Sequence, residues 1–435
     1  MRIRVAYDIT FLANSFSYPE GQSGVHRTVE ELLFALCERH DVTLTAVAAC
    51  GEDPLLDVTN SSRYLLNRKD KVTCHFEPSL VGHSKLSAIY LRTFGGNAKA
   101  NNRGSVPGPR SVNYERARHQ FARIVRKVDR PRLVFDRSRY DVFHSPFLRL
   151  PSRAVVEEIP RVLTIYDLIF LKNPEFMTAS LVNFLQKIFD SLDINRDWVT
   201  CISEFTKAEL CDFTGISPER VFVTPLAAAA HFHPVTDSQR IAQARRKYGI
   251  PESDYFLALS HLQPRKNFAH LIRCFLRLLT EHPGLDVNLV IVGASGWFDD
   301  EIFAASGSTE ELKRRVIFTG YVPNPDLSAI YSGATALLFP SLYEGFGLPA
   351  LEAMQCGLPV VASNTTAFPE VIGDAGLLVN PTDADSLCQA MLDLLSSEAL
   401  RRELSERGLV RSKDFSWANC AERTVAAYQI AASNS

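Results

Sequence analysis

Glu344 and Glu352 flank a glycine-bearing turn in the stretch YEGFGLPALEAMQCG, which runs from Tyr343 to Gly357. Gly345 and Gly347 leave room for a ligand to approach the backbone without meeting a Cβ atom. Pro349 suits the first turn of a helix, and ALEAMQC continues in helical composition. Unpaired N–H groups at such a helix start favour an anion, phosphate above all. A carboxylate beside phosphate is repelled, so the two glutamates are better suited to accept hydrogen bonds from neutral hydroxyls on either side of it. Glu352, one turn into the helix, could hold a ribose, and Glu344, in the turn before it, a sugar. A nucleotide sugar presents hydroxyl, diphosphate and hydroxyl in that order. Taken alone, the same pair also reads as a surface turn residue and a helix carboxylate matched to the macrodipole.

The elements that must position these residues alternate between apolar runs and amphipathic patterns, as in parallel βαβ construction. In the first half the strand candidates are RIRVAYDI, VTLTAVAA, YDVFH, RVLTIYD, DWVTCIS and RVFVTPL. Between the first two, Val25, Val29, Leu32, Leu33 and Leu36 repeat with helical spacing. A second series, YFLALS, VNLVIVG, RVIFTG, TALLFP, PVVAS and LLV, opens after AAAAHFHPVTD. The expected fold class is α/β, with two Rossmann-like doubly wound domains facing across a cleft. Residues 1–230 form the first domain, joined by a terminal helix over 416–435, and residues 231–415 form the second. Ligands of open sheets bind beyond the C-terminal strand ends, so two facing sheets put their sites in the cleft.

The run FPSLYEGFGLPALEAMQCGLPVVAS resembles the donor-site signature of the family-4 retaining glycosyltransferases, enzymes of the GT-B fold. The likeness continues through LSHLQPRKNFAHLI, RVIFTGYVPNPDLSAIYSGA and NTTAFPEVIGDAGLLVNPTD, and reaches back to TCISEFTKAEL and RVFVTPLA. The first half matches more loosely. The resemblance implies that Glu352 binds the ribose, Glu344 contacts the donor sugar, and the amides of Gly345, Phe346, Gly347 and Leu348 lie near sugar and diphosphate. Lys266, with Arg265 beside it, matches the basic pair that neutralises the diphosphate. Many relatives carry a further arginine where this chain has Ser260 and His261, so Arg265 is expected to supply that second charge. Tyr321 and Val322 fall where the nucleotide base meets backbone. Gly24, in GQSGVHRTVEELL, matches the glycine that lies across the diphosphate. His144, in DVFHSPF, matches a histidine that contacts the donor sugar from the opposite domain and is expected to face the cleft. Asp167 aligns with an acidic residue usually preceded by histidine, a place taken here by Tyr166, and is expected either to assist the acceptor or to cap the strand end. The terminal helix of the family crosses back to the first domain.

The letters DAD at Asp383–Asp385 fit a metal-binding pattern, but NPT before them and SLCQAMLDLL after them predict a helix cap by Thr382 or Asp383. No essential metal and no cofactor are expected. No Ser/His/Asp or Cys/His pattern points to a covalent nucleophile. A net charge of −2 argues against nucleic acid as partner, and nine scattered cysteines read as reduced thiols. The amino terminus reads as a strand rather than a signal peptide, so a cytoplasmic location is expected. From Lys85 to Arg139, fourteen Lys and Arg face three acids, with the aperiodic run GGNAKANNRGSVPGPR between them. That segment reads as a mobile, solvated insertion or as a basic surface for an anionic membrane at its inner face or for a lipid-linked acceptor. The expected partners are a nucleotide-sugar donor, UDP- or GDP-linked, and a carbohydrate acceptor in bacterial polysaccharide or envelope glycan assembly. A nucleotide-sugar epimerase of the same fold and a non-catalytic sugar-nucleotide-binding protein are the rival readings.

Overall fold

The computed structural model describes residues 2–16, 24–77, 80–81, 85–94, 112–129, 132–133, 136–260, 263–293 and 314–434. In chain order the strands are β1 (Ile3–Asp8), β2 (Val42–Val47), β3 (His75–Glu77), β4 (Leu80–Val81), β5 (Arg132–Leu133), β6 (Val142–Ser145), β7 (Arg161–Ile165), β8 (Trp198–Cys201) and β9 (Val221–Val223). They continue as β10 (Asp254–Leu259), β11 (Val287–Val292), β12 (Val316–Gly320), β13 (Ala336–Phe339), β14 (Val360–Ser363) and β15 (Leu377–Val379). One sheet has the order β3-β2-β1-β6-β7-β8-β9 and the other β12-β11-β10-β13-β14-β15, while β4 and β5 pair separately. Every pairing within the two large sheets is parallel. The strand order reverses between β1 and β6 in one sheet and between β10 and β13 in the other. These are the switch points at which such sheets open a crevice for ligands.

The apolar runs become central strands because both of their faces are covered. In β10, Tyr255 and Leu257 enter one core while Phe256 and Ala258 enter another on the opposite face. In β1, Val5 and Tyr7 point one way and Ala6 the other. The helix Gly24–Cys37 buries Val29, Leu32, Leu33 and Leu36, as its spacing predicts. The helix Trp417–Ser433 starts at Ser416, whose hydroxyl accepts from the Asn419 amide. It lays Cys420, Ala421, Val425, Tyr428 and Ala431 into the core of the first sheet, so the chain ends on the domain where it began.

Three features depart from or refine the sequence expectation. The edge strand β3 was not expected, being short and half polar. The AAAAHFH stretch, which precedes the second series of strands, packs Ala228, Ala229, Phe232 and Val235 into the core of the second sheet. Within the basic segment, the helices Lys85–Phe94 and Val112–Asp129 bring Tyr90, Phe94, Ala122 and Val125 against Leu55 and Val58. Arg118 belongs to that interior, donating to Thr59 Oγ1 at 3.2 Å and Asn60 Oδ1 at 2.6 Å, so it adds nothing to a basic surface. The run GGNAKANNRGSVPGPR, expected as a loop, lies outside the described residues.

Candidate active site

The loop after β10 and the loop after β13 meet at the switch point of the second sheet. Leu342 N donates to the Arg265 carbonyl at 2.7 Å, and Ser341 Oγ lies 3.0 Å from the same oxygen. Asn267 adopts a left-handed backbone and donates from its side chain to Pro340 O and Pro381 O, tying a third loop to these two. This stitching brings Lys266 onto Glu344, whose Oε1 accepts from Lys266 Nζ, from Ser341 Oγ at 2.8 Å and faces Arg265 Nη1 at 3.0 Å. Lys266 and Glu344 are 6% and 7% exposed, so the pair is nearly dry.

The two partners respond differently to burial. At Lys266, desolvation outweighs the attraction of Glu344, and with Arg265 adding repulsion its pKa falls to about 8. At Glu344, burial pushes the pKa up, but the charges of Arg265 and Lys266 and the hydrogen bonds from Lys266 and Ser341 overcome it, leaving about 2. The pair is therefore ionised across the neutral range. Lys266 Nζ also lies 4.9 Å from the centroid of the Phe339 ring.

The turn beyond Glu344 leads into the helix Leu348–Gln355. Gly347 has φ +95°, and a Cβ there would come within 2.8 Å of the Phe368 ring. Phe346 sends its side chain into the core, so only its backbone can serve a ligand. Leu348 is half-buried at the helix start. Glu352 is 2% exposed and accepts from Tyr331 OH at 3.1 Å. Its other oxygen meets Arg27 Nη2 of the first domain at 2.5 Å. Burial raises the Glu352 pKa, and Arg27 and Tyr331 pull against that rise.

Gly345 serves a purpose that its sequence context did not show. A Cβ on it would lie 2.2 Å from the Tyr166 carbonyl and 2.9 Å from Asp167 Cβ, so the close approach is made by the other domain's backbone. Around this point the two domains are sewn together. Ser203 Oγ donates to Gly345 O at 2.7 Å, and Leu168 N donates to Tyr343 OH at 3.2 Å. Tyr343 OH in turn donates to Glu209. The Glu370 carboxylate accepts from Glu204 N and Phe205 N at 2.9 and 3.0 Å, capping the helix Glu204–Thr214 from across the boundary. Asp167 faces Arg265, Lys266 and Glu344 at this seam; burial raises its pKa and Arg265 lowers it.

The remaining expected residues fall in different places. Gly24 is exposed and begins the helix Gly24–Cys37. Val322 is buried, whereas Tyr321 is 71% exposed beyond the end of β12. His144 is a correction. It lies at the end of β6 as expected but does not face the cleft: Nδ1 meets Tyr428 OH at 2.5 Å and Nε2 meets Thr164 Oγ1 at 2.8 Å. Full burial drives its pKa down to about 3, so it is a neutral ring holding the terminal helix to the sheet. Asp383, not Thr382, caps the helix Ala384–Ser396, accepting from Asp385 N and Ser386 N. Among the described residues, no three His, Cys, Asp or Glu side chains gather as a metal-ion set.

Sequence reasoning missed Arg27, Ser341, Tyr343, Glu209 and Glu370. Arg27 alone had a readable signal: a cation in the first turn of a helix sits against the macrodipole and needs an anion from elsewhere.

The arrangement of the two parallel sheets is shared with a solved glycosyltransferase from Rickettsia africae. The two superpose with a TM-score of 0.63 at 15% identity, over 100% of each chain. The fold is that of the GT-B glycosyltransferases. Residues 240–411 match the model of the family described as glycosyl transferases group 1. The chain is 34% identical to the O-antigen chain mannosyltransferase B of Escherichia coli, over 66% of this chain and 74% of that protein. It is 33% identical to the serotype-specific mannosyltransferase WbdA of the same species over 61% of its length, a match that spans 32% of WbdA. The chain belongs to the group 1 glycosyl transferases.

Proposed function

We propose that this glycosyltransferase moves a sugar, mannose in the first instance, from a nucleotide-sugar donor to a carbohydrate acceptor in bacterial envelope polysaccharide assembly, with retention at the anomeric carbon. The observation that carries this reading is the buried Lys266–Glu344–Arg265 cluster at the second switch point, with Glu352 one turn into the helix beyond it. The similarity to two mannosyltransferases supports the choice of sugar.

In this mechanism the nucleotide diphosphate lies against the start of the Leu348–Gln355 helix, where unpaired amides favour anions. Lys266 and Arg265 neutralise the charge that grows on the diphosphate as the glycosidic C–O bond breaks. Glu344 keeps Lys266 in place and accepts from a sugar hydroxyl. The acceptor oxygen attacks the same face that the diphosphate leaves, and its proton passes to the departing phosphate oxygen. Positive charge from Lys266 and Arg265 takes the part a metal plays elsewhere, so turnover is expected to survive EDTA. Asp167, at the seam between the domains, is assigned to the acceptor side. His144 takes no part.

The acceptor is proposed to be lipid-linked and the enzyme to work at the inner face of the cytoplasmic membrane. Supporting this, the helix Val112–Asp129 exposes Ile124 and Val128 beside Arg116, Arg123 and Lys127. No helix among the described residues is long and apolar enough to cross a membrane.

The test is a thermal-shift panel of GDP-mannose, UDP-glucose and their nucleoside diphosphates, followed by product analysis by NMR. Stabilisation of about 2.7 kcal/mol is expected at a hundredfold excess over Kd, with an α-linked product from an α-linked donor. A β-linked product, or stabilisation by none of the four ligands, refutes the reading.

A further inference from the structure

The Arg27–Glu352 ion pair joins residues from opposite domains through two helices that both start at the boundary. Arg27 is the fourth residue of the helix Gly24–Cys37, and Glu352 the fifth of Leu348–Gln355. Both contacts lie within about one helical turn of the respective N-termini, so the two helix starts converge on one place. Each of those starts favours anions. A guanidinium in the first turn is out of keeping with the dipole unless an anion from elsewhere compensates it, and Glu352 does so at 2.5 Å. Arg27 is not sealed there, since its side chain is 29% exposed while that of Glu352 is 2% exposed. The guanidinium also stands 5.9 Å from the Phe232 ring centroid, and its charge lowers the pKa of His231 after burial has done so.

The geometry points to Arg27 as a donor-contact residue supplied by the first domain, which grips the α-phosphate of the nucleotide once Glu352 has taken the ribose. This inference rests on the donor-site reading above and goes beyond it. In a nucleotide the α-phosphate is joined directly to the ribose. The ribose hydroxyls and the 5′-linked α-phosphate lie at opposite ends of one sugar ring, so a long cationic side chain anchored on the carboxylate that receives the hydroxyls can span that ring to reach the phosphate. A guanidinium has five N–H donors, so it can keep one on Glu352 Oε1 and turn others to phosphate oxygens, for which its planar fork is suited. The donor site is then complete only when the domains are together, and donor binding favours the closed arrangement.

The test compares Arg27→Met and Arg27→Lys with the unaltered chain, by calorimetric titration with GDP, UDP, guanosine and uridine. For the nucleoside diphosphate that the unaltered chain binds, Arg27→Met should weaken affinity about 10- to 100-fold. Affinity for the matching nucleoside should move less than about threefold, because the ribose contact is untouched. Arg27→Lys should recover part of the loss, keeping the charge but not the fork. Equal losses for nucleoside and diphosphate would make Arg27 a prop for Glu352 and overturn the inference. So would unchanged or tighter diphosphate binding, which would make it a mere competitor of the donor. If the unaltered chain binds neither diphosphate, the donor-site reading fails first, and the inference falls with it. Thermal unfolding of each variant without ligand separates these outcomes from misfolding: a variant that unfolds at the unaltered temperature yet keeps full diphosphate affinity also overturns it.

Discussion

Lys266 carries the most exposed consequence of the site's electrostatics. Its pKa, held near 8 by burial and by Arg265, puts the loss of its charge just above neutrality. Protonated below that value and neutral above it, the side chain should hold the donor diphosphate at pH 7 and release it on the alkaline side. Donor affinity, measured as Kd or KM, is expected to fall about tenfold per pH unit above about pH 8, while a flat profile to about pH 9 would remove Lys266 from the diphosphate. Glu344 works in the opposite direction. Its folded pKa of about 2 lies below the ordinary 4.5, so its contribution to stability is present above the ordinary value and is lost as pH falls toward about 2. Lys266→Ala and Glu344→Ala should each lower kcat/KM by about a hundredfold or more, with circular dichroism unchanged. Turnover near normal in either variant refutes its role. Glu344 could be read locally, as an acid beside a glycine turn, whereas the roles of Lys266 and Arg265 came from the family resemblance. His144 could not, because a strand-end position does not say which neighbour claims the ring.

Helices and loops determine how the halves meet. The N-terminus of the helix Glu204–Thr214 is capped twice, by its own Ser203 and, from the other domain, by Glu370. Gly345 accepts from Ser203 at the same point and leaves no space for a methyl group. Gly345→Ala should therefore push the domains apart without harming either sheet. Glu370→Ala should do the same more gently, at a cost of about 1 kcal/mol for the lost cap. For both variants, small-angle scattering should show a larger radius of gyration and kinetics a raised donor KM. An unchanged radius with unchanged KM would mean that this seam does not control closure. None of this was visible in the segments TCISEFTKAEL and NTTAFPEVIGDAGLLVNPTD, since the bonds join residues more than 140 positions apart.

At the scale of the whole molecule, the terminal helix makes the chain a closed circuit, leaving the second sheet to finish on the first. A motion that parts the sheets must therefore bend both the 226–235 stretch and the segment before Trp417. The helix Val112–Asp129, proposed above as a membrane-facing surface, packs against Leu55 and Val58 of the first domain and supplies no donor-site residue, so that proposal can be tested without touching the donor site. Ile124→Asp combined with Val128→Asp should reduce co-sedimentation with phosphatidylglycerol vesicles at least about fivefold, since both apolar contacts are lost and negative charge is added. Turnover on a soluble acceptor should be unaffected. Equal sedimentation of variant and unaltered chain would dismiss this face as a membrane contact.

Sequence alone determined the two series of parallel strands, the helical face of Val29, Leu32, Leu33 and Leu36, a helix cap at Thr382 or Asp383 and the glycine turn between Glu344 and Glu352. Each of these rests on periodicity or on residue types within a few positions of one another, where covalent spacing dictates geometry. The Arg27–Glu352 bond, the methyl-free contact of Gly345 with Tyr166, the cap by Glu370 and the burial of His144 under Tyr428 were decided only by the tertiary structure. Their partners are brought together by how one packed sheet lies against another, and no local rule of spacing reaches across that distance.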